Sequence, residues 1–188
     1  MEISHFEIHD LNEFHYIKPL QLKYKQNEKI KRWEAIQQHD SVAVLLYHTQ
    51  KDAFLLVKQF RPPVYMCDTK KKHTYELCAG ILDKELSLKQ IASEEIDEEC
   101  GYKVSPKEIE KITSFYTNVG VSGAKQHLFF AQIDETQKIH NGGGIHDEHI
   151  ELEFLPLSEA KAFIYDETKA KTPGLMFAFY WFFEKFTR

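Results

Sequence analysis

The chain has 188 residues, of which 43% are hydrophobic and 28% are charged, and its formal net charge is −5 at pH 7. This length and composition are typical of one globular domain and exclude a disordered tail protein, a collagen-like rod and a small disulfide-stabilised scaffold. The acidic balance predicts that nucleic acid is not a partner. Three cysteines at irregular spacing predict reduced thiols. With no signal-peptide pattern and no apolar run of about 18 residues, we expect a cytoplasmic protein without membrane contact.

Strand patterns outnumber helical patterns along the chain. Alternating or continuous apolar runs predict strands at 16–24, 29–37, 41–47, 53–60, 75–78, 109–116, 126–133 and 150–155. Pro62 and Pro63 are expected to end the fourth of these strands. Helical periodicity predicts helices at 88–100, 158–165 and 173–186. This mixed order predicts an α/β (α+β) fold, with a mixed sheet and helices on its faces, and not a doubly wound parallel sheet.

The helix predicted at 88–100 has clear ends and an unusual charge. Ser87 and Gln90 form a capping-box pattern at its start, and Gly101 stands where a left-handed residue ends many helices. Between these ends lie five acidic residues: Glu94, Glu95, Asp97, Glu98 and Glu99. Such a run is usually a solvated face. Whether that applies here depends on which way the acids point.

A helical wheel at about 100° per residue separates the five acids into two groups. The apolar stripe consists of Leu88, Ile91, Ala92 and Ile96. Glu95 and Glu99 fall inside this stripe and Glu98 on its edge, whereas Glu94 and Asp97 point away and are expected to be solvated. Two unpaired carboxylates one turn apart repel each other and are costly to bury. Either a divalent cation such as Mg²⁺ or Mn²⁺ neutralises them, or basic residues from elsewhere in the fold do so.

At this point the residues resemble a known family. Ala79 and Gly80, followed by residues 95–102 (E-I-D-E-E-C-G-Y), are similar to the box of the Nudix hydrolases, G-x5-E-x7-R-E-U-x-E-E-x-G-U with U aliphatic. Leu86 replaces the first Glu of the box and Glu94 replaces its Arg, so an oppositely charged pair is absent as a unit. The core E-U-x-E-E-x-G, which carries the metal in relatives, is intact.

The resemblance covers about residues 16–188. Segments 39–46, 57–65 and 76–80, and the glycine loop that leads into residues 148–151, are similar to the nucleoside-diphosphate-sugar branch of the family. The implied fold is a Nudix-type α/β/α sandwich with a mixed sheet and an N-terminal strand extension. We therefore expect residues 1–38 to form an extension that contacts a second copy in a homodimer. Residues 39–188 are expected to form the hydrolase domain.

The resemblance also implies an activity. It is metal-dependent hydrolysis of the diphosphate of a nucleotide sugar such as UDP-glucose, giving a nucleoside monophosphate and a sugar 1-phosphate. Hydrolysis of ADP-ribose or an ADP-sugar is the alternative, although residues 118–120 are Asn-Val-Gly where the ADP-ribose subgroup typically has Ser-Pro-Gly. A third hypothesis is a sensor that binds a nucleotide without cleaving it.

The resemblance assigns the metal to the acidic helix. It implies that Glu95 and Glu99 are the principal ligands of Mg²⁺, with Mn²⁺ as an alternative, and that the carbonyl oxygen of Ala79 assists them. Glu98 is implied as a further ligand, direct or through water, and as a catalytic residue.

Three further residues complete the predicted site. Glu148, next to Asp147 in a late loop, is the expected general base that activates the attacking water. Arg61 is expected to bind the diphosphate with its guanidinium fork, a surface charge being the alternative. Trp33 is expected to stack on the nucleobase from the partner subunit, the alternative being a half-buried strand residue.

Overall fold

The computed structural model describes residues 3–10, 12–15, 17–145 and 148–186. The strands of the described residues are β1 (Lys18–Gln26), β2 (Lys29–Gln37), β3 (Ser41–His48), β4 (Ala53–Gln59), β5 (Thr74–Glu76), β6 (Cys78–Ile81), β7 (Glu110–Tyr116), β8 (Lys125–Ile133), β9 (Ile150–Pro156) and β10 (Ala170–Lys171). The α-helices are α1 (Pro62–Cys67), α2 (Leu88–Glu95), α3 (Leu157–Tyr165) and α4 (Pro173–Phe186). A π-helical turn, Ile96–Cys100, continues α2, and a 3-10 turn, Glu135–Gln137, follows β8.

Within these described ranges, eight strands form one mixed sheet in the order β10-β5-β4-β3-β8-β7, with β6 beside β3 and β9 beside β4. Strand β3 runs parallel to β8 and antiparallel to β4 and β6. Its first half pairs with β6, so that Ala43 lies opposite Ala79 and Val42 opposite Gly80. This register places Ala79 and Gly80, the first residues of the Nudix box, beside the central strand β3. The predicted mixed sheet is confirmed.

Helices cover both faces of the sheet because its central strands are apolar on both sides. In β3, Val42, Val44 and Leu46 belong to the core on the α2 side. Ala43 and Leu45 belong to the core on the α3 and α4 side. A continuous apolar run is what a strand buried on both faces requires. The sandwich implied by the family resemblance is thus confirmed.

Two local features differ from the sequence prediction. Pro62 and Pro63 were expected only to end a strand, but they occupy the first positions of the short helix α1. Proline suits these positions because its fixed φ is helical and its missing N–H has no partner there in any case. The acidic helix, predicted as one α-helix to residue 100, changes to a π-helical turn at Ile96. Single π turns inside α-helices occur frequently at functional sites.

The hairpin of β1 and β2 forms a two-stranded sheet of its own. It contacts the main domain where Ile36 N–H donates to the carbonyl oxygen of Val121 at 2.9 Å. The predicted start of β1 at Tyr16 lies outside the described residues, and the described strand begins at Lys18. The domain boundary at residue 38 and the homodimer stay predictions. None of the helices in the described ranges is long and apolar enough to cross a membrane.

Candidate active site

The acidic helix begins and ends as its sequence predicts. The side chain of Ser87 accepts from the backbone N–H of Gln90, and the Gln90 side chain bonds back to the backbone of Ser87. Gly101 ends the π turn with φ of 76°, in the left-handed region. These caps fix where the helix begins and ends, while burial of Ile91, Ala92 and Ile96 fixes its rotation and the direction of its acidic side chains.

Glu99 and Glu95 are held against β6 by its two small residues. The Glu99 carboxylate, only 5% exposed, accepts from the backbone N–H of Ala79 at 2.9 Å. Half-buried Glu95 lies over Gly80 so closely that a Cβ there would stand 1.8 Å from Glu95 Oε1. A side chain at position 80 would therefore displace the Glu95 carboxyl group from its present position. The structure thus brings Glu95, Glu99 and the backbone of Ala79 together.

Burial raises the pKa of both carboxyl groups. Desolvation, followed by the charge of Glu98, raises the pKa of Glu95 to about 7. Desolvation raises the pKa of Glu99 to about 8, although its bond from Ala79 acts in the opposite direction. None of the ion pairs among the described residues includes Glu95, Glu98 or Glu99. The charge of Lys84 acts to lower the pKa of Glu95, and the charge of Glu99 helps to raise the pKa of Arg61, but neither basic residue forms an ion pair with these acids in the described part of the chain.

This donor set suits a hard divalent cation. Carboxylate and carbonyl oxygens are the ligands that Mg²⁺ prefers, and Mg²⁺ is commonly shared with substrate phosphates. In the described residues no three His, Cys, Asp or Glu side chains already converge as a metal-binding group. Glu99 is instead bonded to the Ala79 N–H, and Glu95 lies against Gly80. Glu95 and Glu99, which have raised pKa values and no ion-pair partner among the described residues, nevertheless offer negative charge that a divalent cation would stabilise.

Arg61 is placed beside the cluster but is engaged by Glu76. Its Nε and Nη2 donate to the two carboxylate oxygens of Glu76, each at 2.8 Å. Buried Glu76 also accepts from Thr74 Oγ1 at 2.6 Å. The pair with Glu76 raises the pKa of Arg61, and the charges of Glu99 and Glu148 add to this effect. Glu76 thus orients one edge of the guanidinium, and the binding of a diphosphate by Arg61 stays a prediction.

The Glu76 partner was missed by the sequence analysis. A signal was present, because Glu76 stands between Tyr75 and Leu77 in the strand predicted at 75–78. A buried carboxylate in a strand implies a partner, since an unpaired charge is expensive to bury.

Glu148 lies in the exposed loop before β9, near the cluster. Its charge contributes to the raised pKa of both Glu95 and Glu99. Its Oε2 accepts from the backbone N–H of Ile145 at 3.1 Å. The neighbouring candidate Asp147 lies outside the described residues. The loop thus places one predicted acid close to the buried pair.

Trp33 is not at the carboxylate cluster of its own chain. Its side chain is 52% exposed, and Nε1 donates to the carbonyl oxygen of Gly120 at 2.8 Å. It lines an open groove between the hairpin and the turn that contains Gly120 and Val121. Stacking of Trp33 on a nucleobase would therefore have to occur across a dimer, and it stays a prediction.

The two outward acids of the helix, Glu94 and Asp97, each form an ion pair, whereas the sequence predicted that they are only solvated. Lys84 Nζ bonds Glu94 Oε2 at 2.9 Å. His140 Nε2 bonds Asp97 Oδ1 at 2.8 Å. His140 precedes the glycine loop, so this second pair connects the acidic helix to the segment that carries Glu148.

Comparisons with known proteins agree with this architecture. A family model described as NUDIX domain matches residues 37–174. The chain therefore belongs to the NUDIX family and is a hydrolase of that family.

Three relatives with known names are similar to most of the chain. The chain is 36% identical to the uridine diphosphate glucose pyrophosphatase NUDT14 of Bos taurus, over 89% of this chain and 88% of the relative. It is 32% identical to the protein of the same name from Mus musculus, over 90% of this chain and 89% of that relative. It is also 36% identical to a GDP-mannose pyrophosphatase of Pectobacterium atrosepticum, over 71% of this chain and 67% of that relative.

Proposed function

We propose that this chain hydrolyses the diphosphate of a nucleotide sugar such as UDP-glucose, giving a nucleoside monophosphate and a sugar 1-phosphate, with Mg²⁺ as the cation. The observation that carries this proposal is the pair of carboxyl groups of half-buried Glu95 and buried Glu99, which have raised pKa values and form no ion pair among the described residues. The names of the relatives support a nucleotide-sugar diphosphate as the substrate class.

In this proposal, different residues bind the metal and the diphosphate. Glu95, Glu99 and the carbonyl oxygen of Ala79 would hold the metal, with Glu98 as a further ligand or catalytic residue beside them. When bound, Mg²⁺ supplies positive charge to the non-bridging phosphate oxygens, where negative charge accumulates in the transition state. Arg61, oriented by Glu76, adds a further cation for the diphosphate.

Glu148 is the proposed general base. It accepts a proton from water as the water oxygen bonds to phosphorus, while the bond from that phosphorus to the bridging oxygen breaks. Its exposed position at the edge of the cluster gives it access to solvent water. In the proposed homodimer, Trp33 of one subunit would stack on the nucleobase bound by the other.

A substrate panel tests the proposal. UDP-glucose, GDP-mannose and ADP-ribose are each incubated with the purified protein in MgCl₂, MnCl₂ or EDTA, and the monophosphate product is quantified. We expect the highest kcat/KM for UDP-glucose and no turnover in EDTA. A preference for ADP-ribose would overturn the proposed substrate. Calorimetric binding of UDP-glucose without turnover would instead favour the sensor hypothesis.

A further inference from the structure

The glycine loop lies directly against the end of the acidic helix. The backbone N–H of Gly143 donates to the carbonyl oxygen of Glu99 at 2.9 Å, and that of Gly144 donates to the carbonyl oxygen of Glu98 at 3.2 Å. The last carbonyl groups of a helix have no donor within the helix, so the loop supplies donors from outside. The backbone of the acidic residues is therefore bonded to this loop.

Glycine is required for this close approach. At Gly142 a Cβ would stand 2.3 Å from the carbonyl oxygen of Glu99, and φ is +67°. Few residues other than glycine adopt this backbone conformation without strain. The sequence pattern of consecutive glycines therefore reflects contact with the helix end rather than a free turn.

A side-chain pair closes the same interface. His140 Nε2 bonds Asp97 Oδ1 at 2.8 Å, and the backbone N–H of Gly142 donates to His140 Nδ1 at 3.0 Å. Because Nδ1 accepts, Nε2 carries the proton and donates to Asp97. One imidazole ring thus uses both nitrogens, one toward the helix and one toward the loop. We call the Asp97–His140 pair and the bonds from Gly142, Gly143 and Gly144 the clasp.

The loop beyond the clasp leads to Glu148. Gly144 packs on this side chain so closely that a Cβ would lie 2.7 Å from Glu148 Oε2. Ile145 N–H donates to the same oxygen at 3.1 Å. Ile150 N–H returns to the carbonyl oxygen of Gly143 at 3.3 Å, which closes the loop at its base. The position of Glu148 relative to the buried acids therefore depends on the clasp.

We propose that Asp97 and His140 are positioning residues, which hold the glycine loop so that Glu148 faces the Glu95 and Glu99 carboxylates. This inference rests on the proposed function, in which Glu148 is the general base. Asp97 and His140 are each 46% exposed. Because such an exposed pair contributes little to global stability, the pair should matter more for the loop than for folding.

Hydrogen exchange tests the clasp without any substrate. Asp97→Ala should speed exchange of the Gly143 and Gly144 amides by about tenfold, since a lost clasp opens the loop locally. Asp97→Asn keeps an acceptor for His140 Nε2 and should remain close to the parent protein. Glu110→Gln, which removes a half-exposed ion pair with Lys185 away from the site, is the matched control. Unchanged exchange of Gly143 and Gly144 in Asp97→Ala would overturn the inference.

Kinetics in two backgrounds test the route through Glu148. Asp97→Ala should lower kcat for UDP-glucose by about tenfold, with a smaller change in KM, because a small displacement of a catalytic group costs rate. In a Glu148→Gln background the same change should have almost no further effect. An equal loss in both backgrounds, or an unchanged kcat, would overturn the positioning role. If the parent protein hydrolyses no nucleotide sugar, the proposed function fails, and hydrogen exchange still decides whether the clasp holds the loop.

Discussion

The inner and outer acids of a single helix behave in opposite ways. Glu95 and Glu99 point toward β6, have raised pKa values and take part in no ion pair of the described residues. Glu94 and Asp97, their neighbours in sequence, are half-exposed and paired with Lys84 and His140. The presence of an acidic residue in this segment therefore does not by itself predict its role. The face of the helix decides whether a carboxylate binds a metal, as proposed for the inner pair, or joins two elements of the fold.

The largest expected effect comes from neutralising one inner acid of the helix and, separately, one outer acid. Glu99→Gln should lower kcat with Mg²⁺ by about a thousandfold, because it removes a proposed ligand charge from the buried pair. Glu94→Gln, which changes an outer acid of the same helix, should stay close to the parent rate. Steady-state kinetics on UDP-glucose measure both variants, and circular dichroism verifies the fold. Similar rates in the two variants would contradict the assignment of the inner acids.

A second prediction extends the comparison to Arg61, whose guanidinium is oriented by buried Glu76. Arg61→Lys should raise KM for UDP-glucose by about tenfold, because an ammonium cannot keep the bidentate contact with Glu76 and also donate to the diphosphate. Lys58→Gln removes the 2.9 Å ion pair between Lys58 in β4 and Glu151 in the adjacent strand β9, and serves as the control. An unchanged KM in Arg61→Lys would indicate that Arg61 is a surface charge held by Glu76.

A third prediction concerns pH and has the smallest effect. The folded-state pKa values of Glu95 and Glu99, about 7 and about 8, lie above the ordinary value of 4.5. Between pH 4.5 and 8 the folded protein therefore binds more protons than the unfolded chain, and these groups make stability fall as pH rises. Mg²⁺ should offset this loss, because it binds the deprotonated carboxylates of the folded state.

Thermal unfolding in EDTA and in MgCl₂ measures this effect across the pH range. In EDTA at pH 8, Glu99→Gln should raise Tm by about 3 °C, corresponding to roughly 1 kcal/mol for a domain of this size. Glu94→Gln should leave the pH dependence of Tm unchanged. If Glu99→Gln were less stable than the parent at pH 8 without metal, the pKa of Glu99 would not be raised in the folded state.

The sequence predicted the inward direction of Glu95 and Glu99 because local periodicity determines it. Ile91, Ala92 and Ile96 fix the rotation of the helix, and the capping residues fix its start. The π turn at the end could not be predicted from the same pattern, because the helical wheel assumes one rotation per residue throughout. The fold class followed from the order of strands and helices together with the family resemblance.

Partnerships between distant segments were beyond the sequence. Arg61 meets Glu76 because β4 and β5 pair with Val57 opposite Glu76. Asp97 meets His140 across 43 positions of the chain. Trp33 likewise bonds Gly120 only because the hairpin folds back on a later turn. Each contact depends on how distant segments pack together, which no local sequence pattern specifies.

The absent side chain at Gly80 has a consequence for how this protein can vary. A single added methyl group would occupy the place of the Glu95 carboxylate. Mutation of a strand residue that carries no functional group would therefore displace an acid on a neighbouring helix. Tolerance to substitution at this position therefore depends on how far the Glu95 side chain can move to make room.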